Sequence, residues 1–321
     1  MEYRSLGRTG VKVSTLCFGV MSFGRKTNQS EANKMVDHFI SEGGNFIDTA
    51  DAYGQGLCEE MLGKALVGKK RDQLIIATKF GRSMNDNDVN AWGTHRRHII
   101  SACEDSLRRL GLDYIDLYQV HRPQADVPID ETLRALDDLI HAGKIRYIGS
   151  STFPSWQIIE SLWASNEWKL NRFVTEQPSY NILDRRIERE LLPACIKYGI
   201  GIMTWSPLAG GRLTGKYEQD KPFPQNARLD KTRFNKDIWR VLEGLAILCK
   251  EKKCSMSAFS LAWILSTPGI MSAIIGPIDV QQLSENLKAL NVVITPEDRK
   301  RVDALIPPAS FVEDYYNLNV S

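Results

Sequence analysis

Metal-binding cysteine motifs are missing from this chain: its six cysteines, Cys17, Cys58, Cys103, Cys195, Cys249 and Cys254, include no C-x-x-C pair and no histidine at ligand spacing. Zinc ribbons, thioredoxin-like redox pairs and disulfide frameworks are thereby disfavoured, so reduced thiols and no metal site are expected. No stretch approaches the roughly 18 consecutive apolar residues of a membrane span. The 41 basic and 39 acidic residues give a formal charge of +2, spread without a block of either sign. Neither nucleic acid nor a membrane surface is implied as a partner. The start, Met1-Glu2-Tyr3-Arg4, has no apolar leader, and a cytoplasmic protein is expected. Also lacking is a G-x-G-x-x-G after the first strand-like run, which argues against an open dinucleotide-binding sheet.

What is present is an alternation. With 43% hydrophobic residues in 321, the chain can bury a full core, and α/β barrels of this length are commonly single domains. Short apolar runs at 15–20, 45–48, 74–78, 115–120, 145–149, 173–177, 200–205 and 271–276 read as strands. Helical patterns fill the gaps at 31–42, 58–67, 94–110, 130–142, 156–164, 187–198, 236–252 with 257–265, and 280–290. Within 94–110, Ile99, Ala102, Cys103, Ser106, Leu107 and Leu110 recur at spacings of 3 and 4, and Gly111 is placed to end the helix. Asp130 is the expected N-cap of the next helix and Gly143 its stop. Eight strand–helix units predict an α/β fold, a (β/α)8 TIM barrel spanning residues 1–321 as one domain. It is preceded by an N-terminal β-hairpin over 3–14 that could close the barrel bottom. A long Gly-, Pro- and Arg-rich loop over 207–235 follows the seventh strand, and Thr295-Pro296-Glu297-Asp298 starts an extra C-terminal helix. The aromatic tail with Phe311, Tyr315 and Tyr316 could reach back over the mouth.

Three successive runs stop on ionisable side chains: Asp48, Lys79 and His121, with Tyr53 in the loop after the first. Parallel strands bring their carboxyl ends to one rim, where barrels carry their sites, so these four groups should meet. Alone, an Asp and a Tyr five residues apart could be a cap and a core phenol. Four such groups at three neighbouring strand ends point to chemistry. The segments Gly44-Asn45-Phe46-Ile47-Asp48-Thr49-Ala50 with Tyr53-Gly54 and Glu59-Glu60, Thr78-Lys79, Gln119-Val120-His121 and Trp205-Ser206-Pro207-Leu208 resemble the aldo-keto reductases from Arg4 to the chain end.

Carbonyl reduction needs a hydride donor and a proton donor that still holds its proton near neutrality. A tyrosine qualifies, a neighbouring ammonium is expected to lower its pKa, and a carboxylate would keep that ammonium charged. The resemblance accordingly implies Tyr53 as general acid and base, Lys79 and Asp48 as its tuning pair, and His121 as the group that positions the carbonyl. It also implies a nicotinamide cofactor, NADPH before NADH. Met21 and Asp48 would contact the cofactor, Ser151 and Gln177 would bind the nicotinamide carboxamide, and Trp205 would stack on its ring. Thr152 stands where many relatives carry Asn. Ser206, Leu208 and Gly210 would offer backbone N–H groups to the pyrophosphate and Lys216 a charge. Tyr217 stands where a magnesium-binding P-loop would need Ser or Thr. Gly276, Gln282, Glu285 and Asn286 would receive the adenosine end, and Arg228 would face a 2′-phosphate, since Ile278 replaces the Ser or Thr common there.

Met21, Phe23, Phe80, Trp92 and Trp156 are expected to line an apolar mouth for an aldehyde, a ketone or an open-chain sugar. A second resemblance, to the β subunits of voltage-gated potassium channels, implies an alternative role as a cofactor-binding regulatory subunit, with an oligomer possible. Those subunits lack the histidine that this chain carries as His121.

Overall fold

The computed structural model describes residues 1–85, 87–225 and 228–312. A hairpin, β1 (Tyr3–Ser5) and β2 (Lys12–Ser14), precedes eight parallel strands: β3 (Leu16–Gly19), β4 (Phe46–Asp48), β5 (Ile75–Phe80), β6 (Ile115–Val120), β7 (Ile145–Ser151), β8 (Thr175–Gln177), β9 (Gly201–Thr204) and β10 (Ile270–Ile275). They close in the order β10-β3-β4-β5-β6-β7-β8-β9, the expected barrel. The connecting helices are α1 (Gln29–Ser41), α2 (Leu57–Leu66), α3 (Arg96–Leu110), α4 (Ile129–His141), α5 (Ser155–Trp168), α6 (Leu191–Tyr198), α7 (Lys236–Lys252), α8 (Met256–Leu265) and α9 (Val280–Leu287), with α10 (Pro296–Leu305) added after the barrel.

Local chemistry explains these elements. The buried stripe of α3 is the one its spacing predicts, and Gly111 ends it with a φ of 63° that a side chain would resist. In α4, Leu133, Leu136 and Leu139 face inward. Its start differs from expectation: Pro128, not Asp130, occupies the cap position. Proline's fixed φ suits the entry, and Asp130 falls in the first turn beside the unpaired N–H groups. The 187–198 segment likewise splits into a short 3-10 turn and α6, because Pro193 can stand only in a helix's first turn.

The hairpin plugs the amino-terminal end of the barrel. Leu6 packs with Val13, Cys17, Phe46, Ala77, Leu117, Val174, Met203 and Met271 to fill the lower interior. Arg4 donates to the carbonyls of Ile270 and Leu265 at 2.6 and 2.8 Å. At Gly7 (φ 56°) a Cβ would stand 2.1 Å from the Val174 carbonyl oxygen, so the chain passes under the strands only as glycine. With one end sealed, polar side chains at the strand ends open to the other rim. No helix among the described residues is long and apolar enough to cross a membrane, and the six cysteines are unpaired.

Candidate active site

β4 ends on Asp48, and β5 carries Lys79 one residue before its end. Lys79 is fully buried; its Nζ lies 2.5 Å from Asp48 Oδ2, 2.7 Å from the Thr49 carbonyl and 3.3 Å from Tyr53 Oη. Tyr53 reaches this point because the chain beyond β4 keeps pairing with β5, Thr49 N to Ala77 O at 2.9 Å and Asp51 N to Lys79 O at 3.1 Å, before it turns at Ala50–Tyr53. His121, just past β6, sets its ring edge-on to Tyr53 with centroids 5.7 Å apart. The four residues picked out in the sequence are therefore neighbours.

A further group joins them. Gln119 of β6 and Gln177 of β8 both donate to Asp48 Oδ1, at 3.1 and 3.0 Å, and Gln177 also donates to Gln119 Oε1 at 3.1 Å. Gln119 has no sign in the sequence beyond its place in the Gln119-Val120-His121 segment. Two amide donors and an ammonium hold the buried Asp48 carboxylate.

The electrostatics follow. Burial works against charge on Lys79, but Asp48 and the phenol beside it raise the ammonium above its ordinary range. For Tyr53 the sequence expectation reverses. Burial is the larger influence and raises the phenol above 10, while Lys79 pulls the other way. The phenol thus keeps its proton across the neutral range. His121 is pushed well below 6.5 by burial and by the charges of Lys79, Arg82 and Arg122. It is an uncharged imidazole, and its buried Nδ1 has no hydrogen-bond partner among the described residues.

Two more buried carboxyls, Asp51 and Glu176, are pushed up to about 8, both mainly by burial and Asp51 also by Glu59. His98 is pushed down to about 4 by burial and His95. A carboxyl raised on folding stabilises the fold at low pH, and that contribution is lost as pH climbs from the unfolded value of about 4. A histidine lowered on folding contributes above about 6.5 and loses its contribution as pH falls. His121 is lowered as well, so below about 6.5 two histidines oppose the two carboxyls and the slopes nearly cancel. From there to about 8 the carboxyls titrate unopposed. The thermal midpoint is expected to change little across the acid side and to fall between pH 6.5 and 8. Each carboxyl contributes up to about 1.4 kcal/mol per pH unit. Circular dichroism melts checked against Asp51→Asn should show a shallower fall in the variant.

The remaining predicted residues distribute along the same rim. Ser151 ends β7 and donates to the Gln177 carbonyl at 2.9 Å. Trp205, just past β9, is half-buried, with its backbone N–H donating to the Pro178 carbonyl at 3.0 Å. Ser206 (φ 56°) and Leu208 lead into a 3-10 turn over Ala209–Thr214, in which Gly210 has φ 66°. Lys216 is lowered by partial burial and then by Lys26 and Arg228, so cations from separate loops bear on one another. Lys26 went unread in the sequence. The loop bearing it is tied to the turn after β10 by Ser22 Oγ to Pro277 O at 3.0 Å and Thr27 Oγ1 to Ile278 O at 2.7 Å. Nothing lies within 4 Å of where a Cβ on Gly276 would stand. In α9, Gln282 turns back to accept from Ile278 N at 3.3 Å, Glu285 pairs with Lys288 at 2.6 Å, and Asn286 is buried. The three do not form one free polar face.

Met21, Trp92 and Trp156 are exposed, at 41, 46 and 56%. Phe23 and Phe80 are not mouth residues: both are fully buried, Phe23 edge-on to Phe18 and Phe80 stacked on Tyr118 at 4.6 Å. From the tail, Phe311 sits against Arg186 at 4.6 Å, and Val312 N donates to Leu183 O at 3.0 Å, on the loop after β8. Tyr315 and Tyr316 lie outside the described residues. A cavity of about 500 Å³ lined by Arg212, Tyr217, Trp239 and Met256 shares no residue with the tetrad. No cluster of three or more metal-ligating side chains occurs among the described residues.

An eight-stranded parallel barrel with a buried Lys–Asp pair against a phenol at its carboxyl rim is the architecture of a carbonyl-reducing oxidoreductase. The Aldo/keto reductase family model matches residues 15–307. The chain belongs to that family and is an NAD(P)H-dependent oxidoreductase. It is 35% identical to a probable voltage-gated potassium channel subunit beta of Oryza sativa subsp. japonica, over 95% of this chain and 97% of the relative. It is 36% identical to an uncharacterized oxidoreductase of Bacillus subtilis, over 96% of each. It is also 32% identical to versiconal hemiacetal acetate reductase of Aspergillus parasiticus, over 93% of this chain and 95% of the relative.

Proposed function

We propose that this protein reduces an aldehyde or ketone to the corresponding alcohol with NADPH, and that Tyr53 is the proton donor. The observation that carries this reading is the placement of Lys79, within 3.3 Å of the phenol and 2.5 Å of Asp48. When bound, the reduced nicotinamide supplies the hydride that the carbonyl carbon accepts. As the C=O π bond breaks, charge gathers on the substrate oxygen, and that oxygen takes the Tyr53 proton. The phenolate left behind faces the Lys79 ammonium, which stabilises it, and Asp48 holds the ammonium charged and aimed. His121, uncharged, can donate one hydrogen bond to the substrate oxygen and orient the carbonyl without competing to protonate it. In the reverse direction the Tyr53 phenolate, held beside the Lys79 ammonium, takes the proton from the alcohol.

Fit to the dinucleotide rests on the chain's own features. Ser151 and Gln177 place polar groups on the rim beside Asp48. Open backbone at Gly276 leaves room for close approach, and the repulsion that Lys26 and Arg228 exert on Lys216 would be relieved by phosphate charge. Wild-type protein should bind NADPH more tightly than NADH in a tryptophan-quenching titration. Arg228→Ala, which removes the charge assigned to the 2′-phosphate, should cut NADPH affinity about tenfold, the size of one charge-assisted hydrogen bond, and leave NADH affinity nearly unchanged. Lys216→Ala, at the shared pyrophosphate, should weaken both. Equal affinity for the two dinucleotides, unchanged in Arg228→Ala, would overturn the NADPH assignment.

A further inference from the structure

Glu176 is a fully buried acid that none of this chemistry uses. In β8 its neighbour Gln177 faces the barrel interior, where it reaches Asp48 and Gln119. Alternation along a strand therefore turns Glu176 outward, toward the helices. The register pairs Ser150 with Glu176 and Ser151 with Gln177 across β7 and β8, so the outward pair sits directly behind the inward pair. Ser150 Oγ donates to Glu176 Oε2 at 2.5 Å, and Phe153 N donates to Oε1 at 3.1 Å. Between those two contacts lies Thr152, a non-glycine residue held at φ 62°, a conformation that persists only where its surroundings impose it. The same turn is tied on its inner side, with Ser151 Oγ and Thr152 N both donating to the Gln177 carbonyl, at 2.9 and 3.2 Å.

We propose that Glu176 is a positioning residue: its buried carboxyl group braces the Ser150–Phe153 turn from behind and so sets the angle at which Ser151 presents its hydroxyl at the cofactor rim. The proposal rests on the reading that Ser151 and Gln177 meet the nicotinamide. A turn strained at Thr152 and bonded on both sides has little freedom while the brace is present. Without the carboxyl, the Phe153 N–H and the Ser150 hydroxyl lose their shared acceptor, and the cheapest relaxation of Thr152 swings Ser151 away.

The test is a double-mutant cycle on cofactor affinity, measured by NADPH titration of folded protein, with Glu176→Ala, Ser151→Ala and the pair. Glu176→Ala and Ser151→Ala should each weaken binding about tenfold, the usual reach of a supporting contact. The double variant should be no weaker than the worse single, because one change acts through the other. Glu176→Gln, which keeps an acceptor for Phe153 N, should recover most of the affinity. A Glu176 that merely supports the fold would lower the melting temperature wherever it is replaced and leave the affinity losses additive. Additive losses, or wild-type affinity in a folded Glu176→Ala protein, would overturn the proposal. Should Glu176→Ala fail to fold, Ser150→Ala takes its place in the cycle, with the same non-additivity expected and additivity again counting against the brace. Wild-type affinity in both Ser151→Ala and Gln177→Ala is the separate result that removes the underlying cofactor assignment, and the brace with it.

Discussion

Tyr53→Phe is expected to lower turnover of a small aldehyde by about 10²- to 10⁴-fold, the range that a positioned general acid contributes. Cofactor affinity and melting temperature should stay close to wild type. The substitution removes one oxygen, 3.3 Å from Lys79, and leaves the ammonium with its remaining partners, Asp48 at 2.5 Å and the Thr49 carbonyl at 2.7 Å. No buried charge is stranded, so the fold has no reason to suffer. His121 cannot take over the proton transfer, because burial and the surrounding cations keep its imidazole unprotonated. Steady-state kinetics beside a cofactor titration check this, and a variant retaining more than a tenth of wild-type turnover would exclude Tyr53 as the donor.

The second large effect concerns stability as well as rate. Lys79→Met leaves the Asp48 carboxylate, 2% exposed, with its two glutamine donors and no counter-charge. Breaking a buried pair from one side typically destabilises by about 3–5 kcal/mol, because a charge is left buried without compensation. Asp48→Asn in the same protein should restore most of that loss, since an asparagine oxygen can still accept from Gln119 and Gln177. Activity should not return, as the phenolate would then have no ammonium beside it. Urea unfolding of the two single variants and the double variant measures the coupling. Independent, additive losses would mean that the pair does not act as a unit.

The pattern of recovery from sequence follows from what local rules encode. Asp48, Lys79 and His121 were legible because apolar runs that end on ionisable groups mark strand ends, and barrel topology gathers strand ends at one rim. Gln119 was obscured by lying inside an apolar run, where only the inward turn of its amide gives it a task. Phe80 follows Lys79 directly, so strand alternation sends it to the opposite face, against Tyr118. Reading it as a mouth residue ignored that period. Lys26 looked like any solvated lysine, and only the folded chain brings its charge to bear on Lys216. The direction of the Tyr53 shift was beyond sequence for a related reason: it depends on how deeply the phenol is buried, which the neighbouring charge does not reveal. Asp130 was displaced as a cap by Pro128, whose backbone preference outweighed a side-chain hydrogen bond.

The most direct trial of the account follows absorbance at 340 nm after wild-type protein charged with NADPH is mixed with a panel of small aldehydes and ketones. At least one of them should discharge the bound cofactor with one equivalent of alcohol formed. Persistence of the NADPH signal on verified cofactor-bound protein against every carbonyl offered would contradict a proton-donating phenol poised at this rim.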